Sequence, residues 1–102
     1  MRMNPTQAEL LESYARDFSE IPALQAAHRI GYALYGQAGR LRIAVCREMR
    51  QGGARAVECL LDNVAEEMGR GLLLLLYENA VPPEQVHDVI QDICSEQPAS
   101  EG

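Results

Sequence analysis

Five consecutive leucines, Leu72 to Leu76, constrain the fold of this chain more than any other feature. If the segment is helical, leucine covers the whole circumference of the helix, and a helix that is apolar on all sides has to be buried on all sides. A chain of 102 residues has few elements to surround it, because a domain of this size buries only about two-thirds of its unfolded surface. The run therefore predicts association with a second chain, either a copy of this protein or a target.

Apolar residues at helical spacing predict an all-α fold, a small bundle of four or five helices without strands. A capping box near the N-terminus predicts a first helix over residues 6–19. A second, long helix is predicted over residues 22–51, and Gly52-Gly53 ends it. The glycines within residues 36–39 mark either a break or a close contact with another helix. Of these two alternatives, we expect an unbroken or merely kinked helix.

The second half of the chain predicts two more helices. Apolar residues that alternate spacings of three and four form a heptad-like seam in a third helix, over residues 54–79. A short last helix begins at Pro83, because proline is favoured in the first turn of a helix. The two long helices would form an antiparallel hairpin turned at Gly52-Gly53, and a second copy of the chain would complete the bundle.

Length and composition fit one small globular domain. We expect a single helical domain over residues 1–96 and a disordered polar tail over residues 97–102. No apolar run approaches the roughly 20 residues that span a bilayer, and the N-terminus lacks the apolar core of a signal peptide. The three cysteines form no CxxC pair, which suits a reducing compartment. These features predict a cytoplasmic protein with no membrane partner.

Charge is divided unevenly along the chain, whose net charge is −6. Residues 1–57 contain eight arginines and five acidic residues, whereas residues 58–102 contain one arginine and ten acidic residues. The basic part could meet phosphate, an acidic partner protein or the acidic part of the same chain. On the predicted second helix, three arginines could project from one side as a patch for an anion or an acidic partner. They are Arg40, Arg47 and Arg50.

Sequence motifs for catalysis or metal binding are missing. His28 and His87 have no acidic residue or cysteine at a spacing that would complete a metal site. No base and orienting partner can be assigned to a nucleophilic cysteine, and the spaced glycines of residues 31–39 lack the context of a phosphate-binding loop. We therefore predict no catalytic residues, no metal ion and no cofactor.

These observations favour a non-catalytic regulatory protein that binds another protein and blocks it, for example an antiactivator or inhibitor of a transcription regulator. A dedicated chaperone for a secreted or unassembled subunit is the alternative. A small helical DNA-binding regulator and an arginine-dependent enzyme for small anions are further alternatives, although the acidic net charge argues against nucleic acid. The protein is also expected to form a homodimer.

The predicted interface with a partner or second copy combines the leucine run, the apolar face of the last helix and two tyrosines three residues apart. Tyrosine is included because it joins apolar area to a polar tip and is enriched at binding hot spots. The interface residues are Leu72, Leu73, Leu76, Tyr77, Val86, Val89, Ile90, Ile93, Tyr32 and Tyr35.

Overall fold

The computed structural model describes residues 8–37 and 39–95 of the chain, which have an α+β fold. Four antiparallel strands form one sheet in sequence order, and two helices follow and pack on it. The elements are β1 (Glu9–Phe18), β2 (His28–Gln37), β3 (Arg40–Met49), β4 (Ala54–Leu61), α1 (Glu66–Glu78) and α2 (Pro83–Ser95). The prediction of an all-α bundle around a long helical hairpin was wrong.

The first two predicted helices are strands. The segment 6–19 contains β1, while Thr6 and Gln7 of its capping box lie outside the described residues. The segment 22–51 contains the β2–β3 hairpin. The chain reverses direction near Gly39, contrary to the unbroken helix that we expected. Gly52-Gly53 is a turn, as predicted, but it joins β3 to β4. Positive φ angles of 111° and 96° explain why glycine occupies both positions.

The second half of the chain is helical only after residue 65. The predicted helix 54–79 is β4 followed by α1, whereas the last helix is confirmed as α2 with Pro83 as its first residue. The predicted tail, residues 97–102, lies outside the described residues. Within the described ranges, no helix is long and apolar enough to cross a membrane.

Alternation with a period of two explains why the central segments form strands. The large apolar residues are Ile30, Tyr32 and Leu34 on β2, and Leu41, Ile43 and Val45 on β3. Residues two apart on a strand point to the same face of a sheet. The register places Tyr32 beside Val45 and Leu34 beside Ile43, so these six side chains form one apolar surface. We call this surface the inner face.

The two helices cover the inner face and build the core with it. α1 packs against β1, β2 and β3, and α2 packs against β3 and β4. Leu73, Leu76 and Val86 have no exposed surface at all. The segment between the helices is fixed to the sheet by the Tyr32 hydroxyl, which donates to the carbonyl oxygen of Val81 at 3.0 Å. Burial raises the pKa of Tyr32, so this hydroxyl stays protonated and available as a donor.

Removing the Tyr32 hydroxyl should destabilise the fold. In Tyr32→Phe the buried carbonyl of Val81 loses its donor, and an unsatisfied buried acceptor costs about 1–3 kcal/mol. We expect the free energy of unfolding in urea to fall by that amount with an unchanged slope. Tyr35→Phe is the matched control, because Tyr35 lies on the opposite face, and it should change stability by less than about 0.5 kcal/mol. Equal losses in the two variants would contradict this role for Tyr32.

The leucine run forms much of α1 but is not buried on all sides. Leu72, Leu73 and Leu76 are buried, whereas Leu74 is 38% and Leu75 is 36% exposed. The expectation of burial all round was wrong because the sheet of the same chain supplies one apolar surface, and α1 needs only one buried stripe to pack on it. The run is therefore explained within one chain.

The opposite side of the sheet, which we call the outer face, is covered by neither helix. The molecule is only 16 Å deep along its shortest axis, which fits one helical layer on one sheet. The central outer residues, apart from Glu58 on the edge strand β4, are small: Ser13, Ala15, Gly31, Ala33, Ala44, Cys46 and Ala56. Larger side chains cross one end of this face in a row, namely Leu10, Tyr35, Arg42 and Leu60.

Candidate functional site

The residues predicted to bind a partner lie mostly in the core of this one chain. Six of them belong to the buried cluster: Leu72, Leu73, Leu76, Val86, Ile90 and Tyr32. Three more, Tyr77, Val89 and Ile93, are partly buried and pack against that cluster. Tyr35 lies on the outer face, where a partner could reach it. The structure therefore does not gather the predicted residues into one surface.

The three arginines of the predicted patch are also kept apart. Arg40 is at the start of β3 and pairs with Asp62, with 3.2 Å between Nε and Oδ1. Arg47 points to the inner side and forms a bidentate pair with Glu84 at the start of α2, with 2.9 Å between Nη1 and Oε1. Arg50 lies in the β3–β4 turn, at the other end of β3 from Arg40. No single anion could contact all three.

Ion pairs join the basic part of the chain to its acidic part. Besides the pairs of Arg40 and Arg47, Arg55 lies 3.4 Å from Glu84, and Arg42 lies 3.9 Å from Glu58. The hydrogen bond from Arg47 holds the pKa of Glu84 below its usual range. The basic part could meet phosphate, an acidic partner protein or the acidic part of the same chain. Among the described residues, its arginines form ion pairs with the acidic part of the same chain.

A polar and aromatic cluster attaches α1 to β1. The rings of Tyr14 and Tyr77 stack with centroids 4.8 Å apart, and the Arg16 guanidinium lies 4.6 Å from the Tyr77 centroid. Arg70 pairs with Glu12 and Glu66. The Tyr14 hydroxyl donates to the Glu12 carboxylate, which lowers the pKa of Glu12 and raises that of Tyr14. These groups satisfy one another, which favours a structural role.

The cysteines and histidines do not form a reactive centre among the described residues. Burial raises the pKa of the Cys59 thiol, which disfavours the nucleophilic thiolate. The Nδ1 atom of His28 lies 2.8 Å from the Ala26 carbonyl oxygen, and Nε2 of His87 lies 3.1 Å from that of Glu58. In residues 8–37 and 39–95, no group of three or more His, Cys, Asp or Glu side chains is arranged to hold a metal ion.

The β1–β2 connection displays two large apolar side chains in solvent. We call residues 21–25 the apolar turn. Its backbone is closed by reciprocal hydrogen bonds between Ile21 and Gln25, both 2.8 Å long, and by a 2.8 Å bond from Leu24 N to Ile21 O. Leu24 is 81% exposed and Ile21 is 45% exposed. Ala23 has a positive φ of 66°, a strained conformation for alanine that the closed turn maintains.

A cleft of about 660 Å³ lies beside the apolar turn, at the end of the sheet. Its walls are Asp17, Phe18, Ser19, Glu20, Ala27, His28, Arg29, Glu48, Met49 and Arg50. The Phe18 and His28 rings stack with centroids 4.6 Å apart, while Arg29 pairs with Asp17 at 2.7 Å. That hydrogen bond lowers the pKa of Asp17. The cleft therefore offers aromatic surface and both signs of charge.

The outer face contains the third candidate site. The Arg42 guanidinium lies 4.9 Å from the Tyr35 ring centroid, and the buried Nε of Arg42 has no hydrogen-bond partner among the described residues. A side chain at Gly31 would meet nothing within 4 Å, so the centre of this face is open. An antiparallel sheet that is wet on one side usually carries polar residues there. Alanine, glycine and cysteine are unusual in that place.

Sequence reasoning missed both the apolar turn and the outer face. The helix predicted over residues 22–51 spanned the apolar turn and both central strands, so neither surface was distinguished. A signal was present, since Pro22 between two apolar residues is typical of a turn, and Gly31 inside a strand is typical of a close approach.

No protein-family model matches the chain, and no curated protein or solved structure matches it significantly.

Proposed function

We propose that this protein is a non-catalytic module that binds another protein through the apolar turn and blocks the surface that it covers. The observation that carries the proposal is the 81% exposure of Leu24 on a turn closed by backbone hydrogen bonds. Single exposed apolar residues are common on protein surfaces, but this one protrudes from an ordered turn beside a second, Ile21.

The order of the turn is what makes it suitable for binding. Association costs free energy whenever a loop has to be fixed, so a loop already closed by hydrogen bonds loses less. A leucine presented in this way can insert into an apolar pocket of the target. The target that fits is therefore a folded protein with a pocket of leucine size near its own functional surface.

The neighbouring cleft would form the rim of the same interface. Arg50 and Glu20 face it, so a target surface of mixed charge would find partners around the apolar anchor. Such rims contribute specificity and association rate more than affinity. A binding role is favoured over catalysis because Arg40 and Arg47 form ion pairs within the chain, and both histidines contact backbone carbonyls.

The target can be either a regulator that is held inactive or an unassembled subunit that is kept soluble. Both an antiactivator and a chaperone act by covering an interface of another protein. The apolar turn could be the binding surface in either role. Identification of the target separates them, since a regulator would lose DNA binding or activity, whereas a client subunit would be protected from aggregation.

A photo-crosslinking amino acid at position 24 tests the proposal in source cells. We expect one predominant protein adduct from position 24 and none from position 67, an exposed position on α1. With the purified target, Leu24→Asp should weaken binding by about tenfold or more, whereas Leu24→Met should retain it. The melting temperature should not change, because Leu24 is exposed. Absence of a predominant adduct, or equal binding by Leu24→Asp, would overturn the proposal.

A further inference from the structure

We infer that the outer face is the docking surface for a second copy of this chain, in a two-fold dimer whose axis lies between β2 and β3 and runs along the strands. This surface is separate from the apolar turn, and the inference does not depend on the proposed function. It also differs from the homodimer predicted through the leucine run, of which Leu72, Leu73 and Leu76 are buried in their own chain.

The chemistry of the outer face favours a close partner over water. Its two central rows are Ala15–Gly31–Cys46–Ala56 and Ser13–Ala33–Ala44–Glu58. Glycine inside a strand weakens it and often marks a place where another backbone approaches. Nothing within this chain requires a glycine at position 31, because a side chain there would meet open space. The small residues therefore leave room for a second sheet, while Glu58 lies on the edge strand β4, at the margin of the face.

The size of the face suits an interface between two copies. Four strands and four rows span about 19 Å by about 27 Å, roughly 500 Å² in projection. A standard interface removes about 800 Å² of accessible surface from each partner, which is of the same order. Two packed sheets keep their strands within about 30° of each other, and the proposed axis satisfies this geometry.

Self-complementarity identifies the occupant as a second copy. Rotation about the proposed axis places β1 over β4 and β2 over β3 of the second copy. Arg29 then faces the second copy's Glu48, and Glu48 faces its Arg29, so the charges alternate. At the other end, Leu10 faces the second copy's Leu60, and Tyr35 faces its Arg42, which already stacks on tyrosine within one chain.

The other simple two-fold axis, across the strands, matches less well. It would place Leu10 over Asp17 of the second copy, an apolar side chain over an exposed carboxylate. With the axis along the strands, Leu10 and Leu60, which are 53% and 60% exposed, cover each other. That arrangement also places the two apolar turns at the same end of the dimer.

Mass measurement with one charged substitution is the first test. By light scattering, the wild-type protein should have twice the mass of the 11.3 kDa chain at micromolar concentration. Ala44→Arg should be a monomer, because two guanidinium groups would be buried between the sheets. In the single chain the new arginine lies beside Glu58, its cross-strand neighbour, so folding and melting should be retained. Gln51→Arg, in an exposed turn, adds the same charge and should remain a dimer.

A disulfide tests the orientation. In a background with all three native cysteines replaced by alanine, Leu10→Cys with Leu60→Cys should give covalent dimers on oxidation. Within one chain these positions are three strand spacings apart, about 14 Å, beyond the roughly 7 Å limit for a disulfide. Leu10→Cys with Asp17→Cys, the pair for the other axis, should stay uncrosslinked. The inference would be overturned by a wild-type monomer at about 100 µM, by a dimer that survives Ala44→Arg, or by crosslinking of the control pair alone. A different protein bound to this face of a monomer would also overturn it.

Discussion

Replacing Leu73 with alanine should lower the free energy of unfolding by about 2–5 kcal/mol, whereas the same change at Leu75 should cost less than about 1 kcal/mol. Leu73 has no exposed surface and faces the sheet, so its truncation leaves a cavity that the packed core cannot fill. Leu75 is 36% exposed, and alanine is the better helix former. Urea unfolding of both variants, with the slopes compared, measures the difference.

The pair also distinguishes two explanations of the leucine run. If α1 packs on the sheet of its own chain, the cost of truncation follows the side of the helix, and the two variants differ severalfold. If the run were buried on all sides by a second chain, Leu73→Ala and Leu75→Ala would cost about the same and their stability would depend on protein concentration. Similar losses would therefore contradict the packing described above.

The strands were missed because a spacing of four residues fits both a helix and a strand. Ile30 and Leu34, like Leu41 and Val45, are four apart, which places them on one side of a helix and also on one face of a strand. Tyr32 and Ile43, which lie midway within these two pairs, distinguish the strand period of two residues from the helical period of 3.6 residues. Their signal was diluted because small apolar residues occupy the alternate positions, where a half-exposed strand normally carries polar side chains.

The same ambiguity explains the arginine patch and the predicted interface. Arg40 and Arg47 are seven residues apart, which is two helical turns on one side but opposite faces of a strand. Sequence shows that the leucine run must be buried on at least one side, and α2 was predicted correctly from Pro83 and its apolar face. Sequence does not show which surface buries the run, because core and interface are made of the same residues until the sheet is known.

Replacing glycine should have opposite effects at two positions on α1, Gly69 and Gly71, which are separated by one residue. A Cβ at Gly69 would lie 2.7 Å from Leu41 Cδ1 and 3.4 Å from Leu34 Cδ1. Leu34 is fully buried and Leu41 nearly so, and the larger side chain of valine leaves neither room to move. We expect Gly69→Val to lower the free energy of unfolding by about 1–3 kcal/mol through overpacking.

Gly71→Val is the matched control, because a Cβ at Gly71 would meet nothing within 4 Å. Valine has a higher helix propensity than glycine, so this variant should be unchanged or more stable by up to about 0.5 kcal/mol. Thermal and urea unfolding of the two variants give the comparison directly. The prediction rests on the close approach of α1 to β2 and β3 that glycine allows at position 69. Equal stabilisation by both valines would mean that α1 does not lie against the sheet at this point.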